Sequence, residues 1–193
     1  SRANGLRYEE AEALYTRGTA YFVRGRSSMT GRNAQLGQAE TYFAQAHAIM
    51  RELNDEIGAA QVAVRRGHAA LLMGDTALAE GMLRESIGIF ERRGVRQRLG
   101  FAQHQLAATL VEQGRLQEAR AMFQSIVELA RQSNLPLYEG NALGDWAEAE
   151  YRARNLDEAC RIIREAQTAY GRAEGAGAFR MQTALQAGTY CRR

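Results

Sequence analysis

The sequence has little of the residues that interrupt helices or cross-link chains. Its 193 residues contain one proline, Pro136, two cysteines, Cys160 and Cys191, and no lysine. A lone proline removes the commonest helix breaker, and Ala, Leu, Glu, Gln and Arg dominate, so an all-α chain is predicted. The two cysteines fit neither a disulfide framework nor a metal knuckle. We therefore expect free thiols in a reducing, cytoplasmic compartment.

Long apolar runs and targeting signals are missing as well. No stretch of about 18 apolar residues occurs, and no charged-plus-apolar signal segment opens the sequence, so no membrane partner is expected. The chain starts at Ser1 without Met and stops inside a predicted helix at Arg193. One interpretation is therefore an excised piece of a longer protein.

Positive charge is carried by arginine alone and is nearly balanced. The 25 basic residues face 22 acidic ones, for a net charge of +3. The one dense cluster is Arg92, Arg93, Arg96 and Arg98, placed at a predicted helix end and turn, where cations complement the helix dipole. This explanation disfavours nucleic-acid binding, which stays open as an alternative, as do arginine forks for phosphate or carboxylate.

Catalytic and cofactor motifs are also lacking. The sequence contains no GxSxG, no HExxH, no P-loop and no GxGxxG, so neither an enzyme nor a cofactor is expected. The carboxylates at Glu9, Glu10, Glu12, Glu148 and Glu150 are interpreted as solvated helix faces. His47 is expected to be a packing or surface residue.

A repeat of 40 residues is the positive signal. Alanine recurs at Ala39, Ala79, Ala119 and Ala159, and each is followed four residues later by a large apolar residue, namely Phe43, Leu83, Phe123 and Ile163. Residues four apart share one face of a helix. The small residue permits close helix approach and the large one fills the adjacent space.

Other small residues keep the same phase and place the turns. Gly67, Ala107, Ala147 and Ala187 also recur every 40 residues, and helix-ending glycines follow at Gly25, Gly74 and Gly114. Asp75 and Asn155 are placed as N-caps, and Asn54, Gly94, Asn134 and Gly175 end the second helices. The predicted single domain, 1–193, contains repeats 8–55, with a surface insertion at 26–35, 57–94, 97–134 and 137–175, and a terminal helix 176–193.

These residues resemble the tetratricopeptide (TPR) family, most closely at Ala107, Gly114, Ala119 and Phe123. The period departs from the usual 34 residues of that family and matches a longer variety found in bacterial regulators. The resemblance implies a right-handed superhelical solenoid of antiparallel helix pairs, whose concave face binds partners.

The resemblance also implies which residues line the concave groove. Its first row is Tyr15, Thr19, Val64, His68, His104, Ala108, Gly144 and Glu148, and the flanking row is Glu12, Gln61, Arg65, Phe101, Gln105, Asn141 and Asp145. Tyr15, Phe101 and Tyr151 are candidate aromatic anchors. The first row does not hold the Lys, Asn and Arg with which some TPR domains clamp a chaperone tail, so such an adaptor is not expected.

The function implied is a scaffold that binds a protein or peptide in this groove. The alternative is a sensor domain of a larger bacterial regulator that binds a signal peptide or small molecule. A metal site at His68 and His104 would need Glu148 or Asp145 as a third ligand, and no spacing motif supports it. Trp146 is expected in the core. Met181, Leu185 and Tyr190 would be exposed on an uncapped terminal helix, through which a weak dimer is hypothesised.

Overall fold

The computed structural model describes residues 2–27 and 30–192, with the backbone alone for residue 2. Every regular element in these ranges is a helix. The nine helices are α1 (Arg2–Ser27), α2 (Arg32–Glu52), α3 (Glu56–Met73), α4 (Thr76–Arg93), α5 (Arg96–Glu112), α6 (Leu116–Gln132), α7 (Pro136–Arg152), α8 (Leu156–Arg172) and α9 (Gly177–Tyr190). Ser28 and Met29 of the predicted insertion, and Arg193 of the predicted terminal helix, lie outside the described residues.

The helices group into two compact units, Ser1–Thr109 and Leu110–Arg193, and the boundary falls inside α5. In the first unit, α1 packs on α2, α2 on α3 and α3 on α4; in the second, α6 packs on α7, α7 on α8 and α8 on α9. The helix pairs begin one residue before the predicted repeat starts at 57, 97 and 137. A single domain over residues 1–193 stays a prediction.

The 40-residue positions form the core of both units. Ala39, Ala79, Ala119 and Ala159 are fully buried, and so are the large residues that follow each by four positions. Gly67 shows why the small positions are needed, because a Cβ there would lie 3.0 Å from Leu83 Cγ and 3.3 Å from the Ala79 carbonyl oxygen. The sequence period therefore marks the points where neighbouring helices approach most closely.

The turns follow the predicted phase at six positions. Asn54, Gly74, Gly94, Gly114, Asn134 and Gly175 all have positive φ, as predicted for left-handed helix ends. In the fourth pair Arg154 takes this conformation, with φ 65°, at the position that Gly74 and Gly114 hold. Arginine gave no sequence signal for a left-handed turn.

The predicted helix end at Gly25 is wrong. Helix α1 continues through this residue to Ser27 and is 26 residues long, and α2 is 21 residues long. Gly25 instead marks a close approach, because a Cβ there would lie 2.9 Å from Leu36 Cδ2. The additional residues of the predicted 26–35 insertion therefore mainly lengthen the two helices.

The two predicted N-caps behave differently. Asp75 accepts a hydrogen bond of 3.1 Å from the Leu78 amide, as an N-cap should. Asn155 precedes α8 but makes no cap hydrogen bond with its side chain. Its amide nitrogen donates instead to the Glu150 carboxylate over 2.8 Å.

Trp146 is buried, as predicted, and stacks on Phe123 with ring centres 6.3 Å apart. The interpretation of Glu150 as solvated is wrong, because this side chain is completely buried. Arg120 donates to both of its carboxylate oxygens over 2.6 Å, and the Trp146 indole donates to it over 2.9 Å. A charged residue is stable here because each carboxylate oxygen has donors.

The expectation of free thiols is also wrong. Cys160 of α8 and Cys191, directly after α9, form a disulfide. The two residues are 31 positions apart, and only the packing of α9 on α8 brings them together. Their spacing carried no signal for this pairing.

Candidate partner-binding site

Five of the predicted groove residues line one cavity of about 180 Å³ in the first unit. They are Tyr15 from α1, Gln61, Val64 and Arg65 from α3, and Phe101 from α5. Phe90, Gln97 and Arg98 complete the wall. Within this unit, predicted groove residues from three helices therefore line the same cavity.

Arg65 is held in a defined position at this cavity. Its Nε donates to the Tyr15 hydroxyl over 3.2 Å, and its guanidinium carbon lies 5.2 Å from the centre of the Phe101 ring. A guanidinium over an aromatic face gains cation–π attraction and loses part of its hydration. Arg65 forms no ion pair with any described residue, so its charge is available to a ligand.

A second cavity, of about 540 Å³, adjoins the first. Both cavities share Tyr15, Gln61 and Arg98. Glu12, from the predicted flanking row, and Asp55 bring negative charge to the second cavity. The Asp55 carboxylate is occupied in part, because it accepts a hydrogen bond of 2.8 Å from the Gly58 amide as the cap of α3.

The sequence interpretation missed Arg98 as a site residue. Arg92 and Arg93 do lie in the last turn of α4, where cations suit the helix dipole. Arg96 and Arg98 instead lie in the first turn of α5, where the dipole disfavours a positive charge. Arg98 is exposed and forms no ion pair with a described residue. The helix end predicted at Gly94 was the feature of the sequence that separates Arg92 and Arg93 from Arg96 and Arg98.

His68 is packed between two aromatic rings, 4.8 Å from the centre of Phe22 and 6.4 Å from that of Phe101. Burial, with the nearby charges of Arg26 and Arg65, lowers the pKa of His68 to about 4. His104 also contributes to this lowering. Across the described residues, no group of three His, Cys, Asp or Glu side chains is placed to hold a metal ion.

Two further predicted groove residues, Thr19 and Gln105, are engaged or buried within the chain. The Thr19 hydroxyl donates to the Tyr15 carbonyl over 2.9 Å, within α1. Gln105 is 6% exposed, so little of it remains for a partner.

The second unit holds four of the predicted groove residues, Asn141, Gly144, Asp145 and Glu148. Asn141 accepts a hydrogen bond of 2.8 Å from the Tyr170 hydroxyl, and Glu148 accepts one from the Tyr190 hydroxyl. Asp145 is exposed. Burial and Glu148 together raise the pKa of Tyr190. Asn141 and Glu148 are thus engaged within this unit.

The aromatic anchor predicted at Tyr151 is covered on one face. Tyr190 of α9 stacks on it with ring centres 4.4 Å apart. Tyr190 is therefore buried, contrary to the expectation for the terminal helix, whereas Met181 and Leu185 are 67% and 70% exposed as expected.

Comparison with known proteins supports the fold. No protein-family model matches the chain, and no curated protein matches its sequence. A Rap protein crystallised with Competence and Sporulation Factor matches with a TM-score of 0.71 and 16% identity, over 88% of this chain and 47% of its own. Apo RapI matches with a TM-score of 0.71 and 16% identity, over 90% and 62%. Aspartyl phosphate phosphatase F from Bacillus subtilis matches with a TM-score of 0.69 and 15% identity, over 93% and 50%.

These neighbours are TPR-like helical repeat proteins, so the predicted fold class, a TPR-like α-α superhelix of antiparallel helix pairs, is confirmed. At this level of identity the likeness concerns the fold alone. The chain spans about half to three fifths of the length of the neighbouring structures. None of the described helices is long and apolar enough to cross a membrane.

Proposed function

We propose that the chain binds a polypeptide segment in the two adjoining cavities of its first unit. One observation carries this proposal: predicted groove residues from α1, α3 and α5 line a single cavity, and that cavity shares Tyr15, Gln61 and Arg98 with a larger one. A Rap protein of the same fold has been crystallised with Competence and Sporulation Factor, which supports a binding role for such helical pairs.

The charges at the cavities define the segment further. Arg65 and Arg98 line the smaller cavity without a carboxylate partner among the described residues, next to the Phe101 ring. A segment that combines an acidic side chain with a neighbouring apolar one fits this wall, because guanidinium groups pair with carboxylates and the ring offers apolar contact.

Peptides selected from a random display library against the intact chain test this proposal. The variant Arg98→Glu reverses a charge at both cavities, and Arg96→Glu, in the same exposed turn of α5 but outside both cavities, is the matched control. We expect Arg98→Glu to weaken binding of the selected peptides by at least about tenfold, and Arg96→Glu by less than about twofold. Equal effects of the two variants would contradict this site.

We further propose that the chain is a member of the 40-residue variety of TPR proteins and serves as a sensor domain of a larger regulator. The chain matches only about half to three fifths of the length of each of the three structural neighbours, which favours this role as one domain of a larger protein. Expression of the gene's complete reading frame with and without the selected peptide tests it, by limited proteolysis of any attached domain.

Binding without catalysis is likewise proposed. One neighbour is an aspartyl phosphate phosphatase, so the direct test is hydrolysis of acetyl phosphate and of a phosphorylated response regulator. Release of phosphate above the buffer rate would overturn the proposal.

We do not propose that the chain binds nucleic acid. A labelled oligonucleotide whose electrophoretic mobility shifts in the presence of the chain would contradict this.

Oligomerisation and location stay predictions. Exposed Met181 and Leu185 support a weak dimer through α9, and light scattering of Leu185→Glu beside the wild type tests it.

The cytoplasmic location predicted from the sequence stays a proposal. The Cys160–Cys191 disulfide argues against it, because disulfides are rare in reducing compartments. Thiol trapping in intact cells of the source decides between the two settings.

A further inference from the structure

A third cavity lies away from the proposed peptide site and has no role so far. It has a volume of about 360 Å³ and is lined by α2, α3 and α4, and we call it the α2–α4 cleft. Its lining shares only Asp55 with the peptide cavities. The volume falls in the lower part of the range for sites that hold small molecules.

The floor of the cleft is small and apolar. Ala59, Ala60 and Ala63 of α3 form it and are at most 6% exposed. One and two repeats later, the residues in phase with Ala63 are Gln103 and Leu143, which are much larger. The space beside Ala63 therefore depends on a short side chain that these two repeats do not have.

Two arginines stand at the cleft without carboxylate partners. Arg51 of α2 and Arg92 of α4 are exposed, and neither forms an ion pair with a described residue. Arg92 is close to Gly88 of its own helix, because a Cβ at that glycine would lie 3.4 Å from Arg92 Nη1. The missing side chain leaves room for the guanidinium along the wall of the cleft.

None of the three carboxylates that line the cleft forms an ion pair with Arg51 or Arg92. Asp55 caps α3 through the Gly58 amide, and Glu56 accepts two hydrogen bonds, of 2.7 and 3.1 Å, from Arg93. Glu85 and Asp55 keep their charges, so the two guanidinium groups stand beside two carboxylates with which they form no ion pair. His47 adds no charge at neutral pH, because burial and the charges of Arg66 and Arg51 lower its pKa.

We propose that the α2–α4 cleft binds a small organic carboxylate whose compact apolar body rests on the alanine floor. A carboxylate receives two parallel hydrogen bonds from a guanidinium, which makes Arg51 and Arg92 its recognition groups. The apolar body fills space that water would otherwise occupy against Ala60 and Ala63. This inference does not depend on the proposed peptide function, because it concerns other side chains.

The test uses phenylacetate as the probe and phenylacetamide as its uncharged counterpart. Binding to the intact chain is followed by NMR shifts of the α3 and α4 amides, with a dissociation constant of roughly millimolar or tighter expected for phenylacetate. We expect phenylacetamide to bind at least about tenfold more weakly, since it lacks the charge that the arginines recognise. No shifts with phenylacetate, or equal affinity for both probes, would overturn the proposal.

Variants locate the binding. Arg92→Gln is expected to weaken phenylacetate binding about tenfold, whereas Arg96→Gln, an exposed arginine outside the cleft lining, should leave it within about twofold. Ala63→Leu introduces the residue that the last repeat carries in phase and should abolish binding with the helical circular dichroism unchanged. If that variant fails to fold, the arginine pair still decides. Selected peptides should bind all three variants as they bind the wild type, which separates this site from the peptide cavities.

Discussion

Arg120 of α6 and Glu150 of α7 form a two-pronged ion pair in which both hydrogen bonds are 2.6 Å long. Trp146 and Asn155 donate to the same carboxylate, so its two oxygens accept four hydrogen bonds in all. This one side chain thus joins α6, α7 and the turn before α8. Because the carboxylate is fully buried, the donors replace water that it cannot reach.

Replacing Glu150 with Gln should destabilise the chain by about 3 kcal/mol, because Arg120 would lose its buried anionic partner. The measurement is the urea midpoint by circular dichroism. Glu158→Gln is the control, since that partly exposed carboxylate pairs with Arg161 within one helix and should cost less than about 1 kcal/mol. Similar losses for the two variants would contradict the importance of the buried pair.

The same carboxylate gives a pH dependence. Burial raises the pKa of Glu150, but hydrogen bonds from Arg120, Trp146 and Asn155 outweigh it and hold the pKa below 4.5. The stabilisation is therefore complete above pH 4.5 and is lost as the pH falls through the folded-state pKa. We expect the difference between wild type and Glu150→Gln to shrink over that range.

Sequence reasoning located the helix contacts because they repeat. The small and large residues 40 positions apart are buried in the structure, and the turns at Gly74 and Gly114 have the predicted conformation. Each repeat needs the same buried small and large residues and the same left-handed turn, so these features recur in the sequence at a fixed period.

Features that depend on a pairing between distant residues were not predictable in this way. In the sequence Glu150 is one of many charged residues. Only the packing of another helix brings Arg120 into contact with it. The Cys160–Cys191 disulfide depends on how α9 packs on α8. Arg98 was assigned to the wrong helix terminus, and this hid its place between two cavities.

Reduction of the Cys160–Cys191 disulfide should loosen α9. The bond closes a segment of 31 residues, which in the chain-entropy account stabilises by about 3–4 kcal/mol. We expect dithiothreitol to increase amide exchange across α9 while α7 keeps its protection, because α9 packs mainly on α8, whereas α7 packs on both α6 and α8. Cys191→Ser should exchange like the reduced wild type and should not respond to reductant. Two titratable thiols in the untreated protein would contradict the bond.

Gly140 of α7 should not tolerate a side chain. A Cβ at this position would lie 2.6 Å from Cε1 of Tyr170, a buried ring on α8 that cannot retreat easily. Gly140→Ala is expected to lower stability by about 1–3 kcal/mol through overpacking. Gly144→Ala, one turn later on the same helix, is the matched control, since its Cβ would meet only the Tyr170 hydroxyl oxygen at 3.9 Å. That variant should be neutral or gain up to about 1 kcal/mol from helix propensity. Thermal unfolding of both variants is the measurement, and a stable Gly140→Ala would show that α8 can move away.

His68 should make the chain less stable as the pH falls below neutral. Its pKa is about 4 in the folded state, against 6.5 for an ordinary histidine, because burial and then Arg26 and Arg65 disfavour its charged form. Between these values the unfolded chain binds a proton that the folded chain does not, so protonation favours unfolding. From pH 7 to pH 5 the wild type should lose roughly 2 kcal/mol by this route, and His68→Gln should lack that loss. An NMR titration of the His68 Cε1 proton measures the pKa directly. A midpoint near 6.5, or an equal loss of stability in His68→Gln, would mean that the imidazole is reached by water and that the Phe22 and Phe101 rings do not enclose it.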